Sequence, residues 1–173
     1  MHTPTEQSPL RANPFFSHEH EMLRDSLKRF IAERVLPVAD AWEQAGCVPR
    51  EILKEMGSLG FLGIRYAEEY GGANLDTLAT VVLAEELGRS TYGGFAVTVL
   101  VHTDMASPHL HHAGTPEQKA RYLPPIIRGE KIAAVAMTEP DAGSDLAAMR
   151  TTARRAGDEI GRASCRERVC LAV

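Results

Sequence analysis

Hydroxyls, carboxylates and a glycine gather in one short stretch, Val135-Ala136-Met137-Thr138-Glu139-Pro140-Asp141-Ala142-Gly143-Ser144-Asp145. The apolar run that enters it, Ile132 to Met137, has no helical stripe and predicts a strand opening into a tight loop. Thr138 and Ser144 bring hydroxyls that both donate and accept. Gly143 allows close approach or a left-handed turn. Successive backbone N–H groups in such a loop can receive phosphates, so the inventory suits a polar, phosphate-bearing cofactor. A plain Gly-Ser turn is the alternative. Asp141 and Asp145 read as loop or cap residues. A second group is His102, His109, His111 and His112. His109 and His112 stand three apart on a predicted helix, a spacing that could pair them on a metal. No Cys or carboxylate pair completes such a set nearby, and histidines at a helix end suit its negative dipole. No metal ligands are assigned.

The elements that must position these groups are mostly helical. Residues 1–16 are polar and Pro-containing and are expected to form a flexible arm. Ser17 suits an N-cap, Glu19 and Glu21 a first turn, and Leu23, Leu27, Phe30, Ile31 and Val35 form one apolar stripe. Pro37 kinks or ends that helix. A second helix starts with Pro49 at its first position, turns Ile52, Leu53 and Met56 inward and stops at Gly60. Asp76 caps a third, with Leu78, Val81, Val82 and Leu87 as its stripe and Gly88 at its close. Tyr92 to Ala113 is apolar nearly all round, which predicts a central buried helix. Thr115-Pro116-Glu117-Gln118 is a capping box, and Pro124-Pro125 is expected to end that helix early. Beyond Gly129 the period changes to that of strands, with a second one around Thr151 to Arg155 before a Gly157-Asp158 turn.

The chain has 173 residues, 44% hydrophobic and 24% charged, the mix of a globular protein. Its net charge of −4 gives no electrostatic footprint for nucleic acid. No apolar run reaches the roughly 18 residues of a membrane span; Phe95 to Ala113 is interrupted by His102, Asp104 and three further histidines. The N-terminus lacks the apolar core of a secretory signal. Ile160 to Val173, IGRASCRERVCLAV, fits neither period and closely resembles a one-frame translation of common sequencing-adapter sequence. It is read as a non-native tail, with a native tail as the alternative. Without its three arginines and one glutamate the charge moves from −4 to −6, and Cys47 is left alone as a small half-buried residue in a reducing compartment.

The stretch from Val135 to Asp145 resembles the signature of the acyl-CoA dehydrogenase family: an apolar strand end, Thr-Glu-Pro, then Ala-Gly-Ser-Asp. Tyr70-Gly71-Gly72 behind an Ile-x-x-x-Glu-Glu loop, Ala84-Glu85-Glu86-Leu87-Gly88, Gly114-Thr115-Pro116-Glu117-Gln118-Lys119 and Tyr122-Leu123-Pro124 are similar to that family in order and spacing. The resemblance covers about residues 15–159, and several motifs in one order make it specific.

The resemblance implies an α+β fragment: an all-α domain over 17–130, then over 131–159 the truncated start of a β-barrel-like middle domain with its flavin-binding loop. It implies FAD as cofactor. Val135, Met137 and Thr138 match positions at the flavin ring, Gly143 and Ser144 positions at the pyrophosphate, and Ser144 also a position that contacts the acyl-CoA. Strand packing is the plainer account of the Val135 and Met137 side chains. Glu139 resembles a structural residue, not a base. The implied reaction is α,β-dehydrogenation of an acyl-CoA thioester, in which a carboxylate takes the α-proton and the β-hydrogen leaves as hydride, with electrons passed on to an electron-transfer flavoprotein. That carboxylate lies in a C-terminal helical domain in the family, so no catalytic residue is named. The chain alone is expected to bind FAD weakly or not at all and to be inactive. A homodimer or homotetramer is implied for the full-length enzyme, in the cytoplasm or, in a eukaryote, the mitochondrial matrix. Two alternatives are an acyl-CoA oxidase or flavin monooxygenase of the same fold, and a non-catalytic helical interaction module using Tyr92–Ala113 as its interface.

Overall fold

The computed structural model describes residues 14–157 and 159–163. Most of the expected arm, residues 1–13, and residues 164–173 of the expected tail lie outside them. The chain divides into two compact units, Met1–Ala133 and Ala134–Val173.

The first unit is helical. Helix α1, His18–Phe30, begins at Ser17, whose hydroxyl accepts the His20 N–H while the His20 ring accepts the Ser17 N–H. It continues as one π-helical stretch, Ile31–Val35, and the helical run stops before Pro37. Helix α2, Ala39–Ala45, has no sequence counterpart in the reading above; it is two turns long with no side-chain cap. Helix α3 is Arg50–Ser58; Ile52, Leu53 and Met56 are buried as expected, while Pro49 stands at the N-cap, one residue before the expected first helical position. Helix α4, Thr77–Arg89, is capped by the Asp76 carboxylate on the Ala79 N–H. Its stripe is rotated from the expected one: Leu83 is buried and Val81 is 39% exposed. The buried Glu86 on that stripe explains the shift, since it faces Arg24 on α1.

The segment expected as one buried helix is α5 (Gly93–Leu100), a π-helical stretch (Val101–Ala106) and α6 (Ser107–Ala113). Only one face is inward: Phe95, Val99 and His102 are buried, while Val97 is 60% exposed. The π-stretch ends where Pro108 enters, a residue without the N–H that a regular ladder needs. There the Ser107 hydroxyl donates to the His102 carbonyl and shares a hydrogen bond with the Tyr66 hydroxyl. Helix α7, Pro116–Ile127, carries the expected capping box of Thr115 and Gln118. It does not end at Pro124-Pro125. Buried Leu123, Ile126 and Ile127 hold its last turn against the core, and the two proline carbonyls take the N–H groups of Arg128, Glu130 and Lys131.

The core joins Leu27, Phe30, Val35, Leu53, Met56 and Phe61 with Val82, Leu83, Leu87, Phe95 and Val99. Between α3 and α4 the chain packs on itself through glycine. Gly71 adopts the left-handed region (φ 88°), and a Cβ on Gly72 would lie 2.0 Å from the Tyr66 carbonyl oxygen.

Across the boundary of the two units, the strand expected over Ile132 to Met137 is not formed. The run has no ladder partner among the described residues, although Val135 and Met137 are half-buried while Ala136 and Thr138 are exposed. That alternation is the two-residue period of extended backbone, which sequence cannot tell from a paired strand. The expected second strand is present as β1, Thr152–Ala156. It pairs antiparallel with β2, Glu159–Ala163, from Thr152 opposite Ala163 to Ala156 opposite Glu159. Gly157, at φ 67°, supplies the left-handed turn residue. Strand β2 takes in the first four residues of the segment set aside as a tail; a backbone ladder forms there without side-chain periodicity.

Candidate functional site

The loop with the candidate residues is shaped by Glu139. Glu139 and Ala142 exchange both backbone hydrogen bonds, at 2.9 and 3.2 Å. That closes a four-residue turn with Pro140 at the position where its fixed φ is favourable. The Glu139 side chain then reaches across the loop. Its Oε2 accepts the Arg150 N–H at 2.7 Å and its Oε1 the Thr151 N–H at 2.8 Å; the Thr151 hydroxyl donates to Oε1 as well. These donors hold its carboxyl below the usual carboxylate range, the Thr151 hydroxyl contributing most. A carboxylate saturated in this way is no free base, which agrees with the structural role inferred from the sequence. That its partners would be Arg150 and Thr151 had no sequence signal.

Thr138, Gly143 and Ser144 are all exposed, with Thr138 just before the closed turn and the other two just after it. Gly143 does not adopt the left-handed region, so of its two expected uses only close approach remains. A Cβ there would meet nothing within 4 Å. Among the described residues no backbone acceptor takes the N–H groups of Gly143 or Ser144. Two successive unbonded N–H groups, a bare glycine and two free hydroxyls fit the phosphate and polar ring edge of a dinucleotide cofactor. Asp141 lies 3.8 Å from the Arg150 guanidinium on the surface, and Asp145 precedes a short 3-10 turn, Leu146–Ala148; both match their expected loop roles.

The histidines do not act together. His102 is fully buried; its Nε2 lies 3.1 Å from the Ile126 carbonyl and its Nδ1 3.0 Å from the Ala133 N–H. These partners make Nε2 the donor and Nδ1 the acceptor, so the ring is neutral, and burial lowers its pKa. It caps the end of α7, whose last carbonyls have no partner within their own helix. The sequence pattern groups His102 with the helix-end histidines and carries no signal for this role. His111 and His112 stack edge to face, and no group of three or more possible metal ligands occurs among the described residues. Cys47 is exposed, not half-buried. It borders a cavity of about 270 Å³ walled by Trp42, Glu43, Tyr92 and Phe95. The carboxylate there already serves the start of α5, since Glu43 accepts the Gly94 N–H, and the Tyr92 hydroxyl donates to Asp40.

Comparison with known proteins adds a lineage to this geometry. The family profile described as acyl-CoA dehydrogenase, N-terminal domain, matches residues 17–130. Over 144 residues the chain is 42% identical to the long-chain specific acyl-CoA dehydrogenase, mitochondrial, of Rattus norvegicus, covering 83% of this chain and 33% of that protein. It is also 42% identical to the 3-(aryl)acrylate reductase of Clostridium sporogenes, over 83% of this chain and 38% of that one. A crystal structure of an acyl-CoA dehydrogenase from Bacillus anthracis complexed with FAD superposes with a TM-score of 0.74 at 41% identity, covering 80% of this chain and 24% of that chain. The chain thus spans about a third of the length of the curated relatives it matches.

Proposed function

This chain belongs to the acyl-CoA dehydrogenase family, and on that premise we propose that it supplies the N-terminal helical domain and flavin-facing loop of an FAD-dependent acyl-CoA dehydrogenase. The observation that carries the reading is the loop of Thr138, Gly143 and Ser144, exposed and unspent, which follows a matched N-terminal domain.

In this reading the run Val135–Met137 lies along the flavin ring, the Thr138 hydroxyl meets its polar edge, and the N–H groups of Gly143 and Ser144 hold the pyrophosphate. Ser144 also meets the acyl-CoA. FAD, when bound, supplies a hydride acceptor for the β-carbon of the thioester. The contribution of these residues is alignment, worth several kcal/mol of barrier when the reacting atoms are held close. The base belongs to sequence outside this chain, and electrons pass to an electron-transfer flavoprotein. The middle domain is a β-barrel that begins within residues 131–159, and residues 160–173 are foreign to it. The whole enzyme is a homodimer or homotetramer in the cytoplasm, or the matrix of a mitochondrion. No helix among the described residues is long and apolar enough to cross a membrane.

The test joins residues 1–159 to the downstream part of the Bacillus anthracis relative. The chimera should purify with FAD and be bleached by an acyl-CoA without oxygen, whereas the chain alone should hold little flavin and turn nothing over. A folded chimera without flavin would overturn the reading. Peroxide produced in proportion to acyl-CoA consumed would favour the oxidase.

A further inference from the structure

We propose that Glu139 is a positioning residue: its carboxylate locks the loop Pro140–Met149 in the shape that presents Gly143 and Ser144 to an anionic ligand. The proposal rests on the reading of this loop as the cofactor loop. One residue closes two rings. Its main chain closes the turn to Ala142, and its side chain closes the longer loop to Arg150 and Thr151. Little else holds the longer ring. From Gly143 to Met149 no side chain is buried, and the backbone bonds there are Ala148 N–H to Asp145 O at 3.2 Å and Met149 N–H to Leu146 O at 3.3 Å. The Arg150 guanidinium is exposed and 3.8 Å from Asp141, a weak contact. By contrast Glu139 is 8% exposed and takes three donors. Both carboxylate oxygens are in use, so the chemistry demands an acceptor at each. A glutamine would turn an NH2 group toward one of the N–H donors, and an aspartate is one methylene short of spanning both. With the clamp gone, ordering the loop around a phosphate falls to the ligand, and affinity drops.

Two measurements test this. The first is hydrogen exchange of the full chain, which needs no flavin. In Glu139→Gln the amides of Arg150 and Thr151 should exchange about tenfold faster or more, the loss expected for hydrogen bonds to a charged acceptor. Those of α4 and α7 should keep their rates. With Glu139 intact, Thr151→Ser, which retains all three donors, should keep the native pattern, whereas Thr151→Val should fall between. Unchanged exchange at residues 150 and 151 in Glu139→Gln would overturn the clamp. The second is flavin affinity of the chimera, read by quenching of FAD fluorescence. Glu139→Gln should weaken it about tenfold, and Asp141→Asn should not. Equal affinity in Glu139→Gln would remove the link to the ligand. A chimera that takes no FAD would sink the cofactor reading alone, because the exchange result stands by itself.

Discussion

His102 offers the sharpest quantitative test of the helical unit. Its two ring nitrogens satisfy the Ile126 carbonyl and the Ala133 N–H inside the core. Replacing it with leucine keeps apolar bulk and removes both partners. The Ile126 carbonyl keeps the Gly129 N–H at 2.9 Å, so only the Ala133 N–H is left without a partner, and His102→Leu should lose about 1–3 kcal/mol. That is a large share of the roughly 5–15 kcal/mol that holds an ordinary domain together. Acidity should act through the same ring. Burial lowers the folded-state pKa below the ordinary imidazole value of about 6.5, so the unfolded chain binds a proton that the folded one refuses. The stability from a neutral His102 is therefore complete above about pH 6.5 and erodes as pH falls below it, by at most about 1.4 kcal/mol per pH unit. His111 is shifted the same way, chiefly by burial, so the difference between native and variant isolates His102. The assay is urea unfolding followed by circular dichroism at pH 7.5 and pH 5.5. His102→Leu should be weaker at pH 7.5 and show a flatter loss toward pH 5.5. A variant within 0.5 kcal/mol (roughly the size of a surface substitution) at pH 7.5, or one with the native pH slope, would refute the reasoning.

Two further outcomes follow from contacts in the same unit. Arg24 meets Glu85 and Glu86 at 2.7 and 2.8 Å, and Glu86 is 2% exposed, so Arg24→Met should cost about 3 kcal/mol by leaving that buried charge only the exposed Arg89 at 3.7 Å. The double variant Arg24→Met, Glu86→Leu should recover most of that loss in the same unfolding assay; strict additivity would show that the pair is not coupled. Gly72→Ala should lower stability by about 1–3 kcal/mol, because its Cβ would sit 2.0 Å from the Tyr66 carbonyl oxygen and backbone must move. A melting temperature equal to the native one would contradict that packing.

The helical unit was largely legible. Ser17, Asp76 and Thr115 marked three helix starts, because a capping side chain bonds N–H groups two or three residues away and needs no tertiary partner. Tyr70-Gly71-Gly72 and Thr138-Glu139-Pro140 were visible as motifs through the family resemblance. What failed was decided over longer distances. Pro124-Pro125 looked like a stop, yet burial of Ile126 and Ile127 and the ring of His102 carry α7 past it. The stripe of α4 rotated because Glu86 had to meet Arg24, 62 residues earlier.

At the candidate site, local sequence determined the turn: a proline and small residues in a fixed order specify a tight backbone almost by themselves. Sequence order also placed Thr138 and Ser144 on either side of it. Only the tertiary structure decided that Glu139 would spend its carboxylate on Arg150 and Thr151, that residues 132–138 would be extended without a ladder, and that His102 would be a neutral strut. A side chain's type states how many hydrogen bonds it can make. Which groups it makes them with depends on what the folded chain brings within 3 Å of it, and a one-dimensional pattern does not contain that distance.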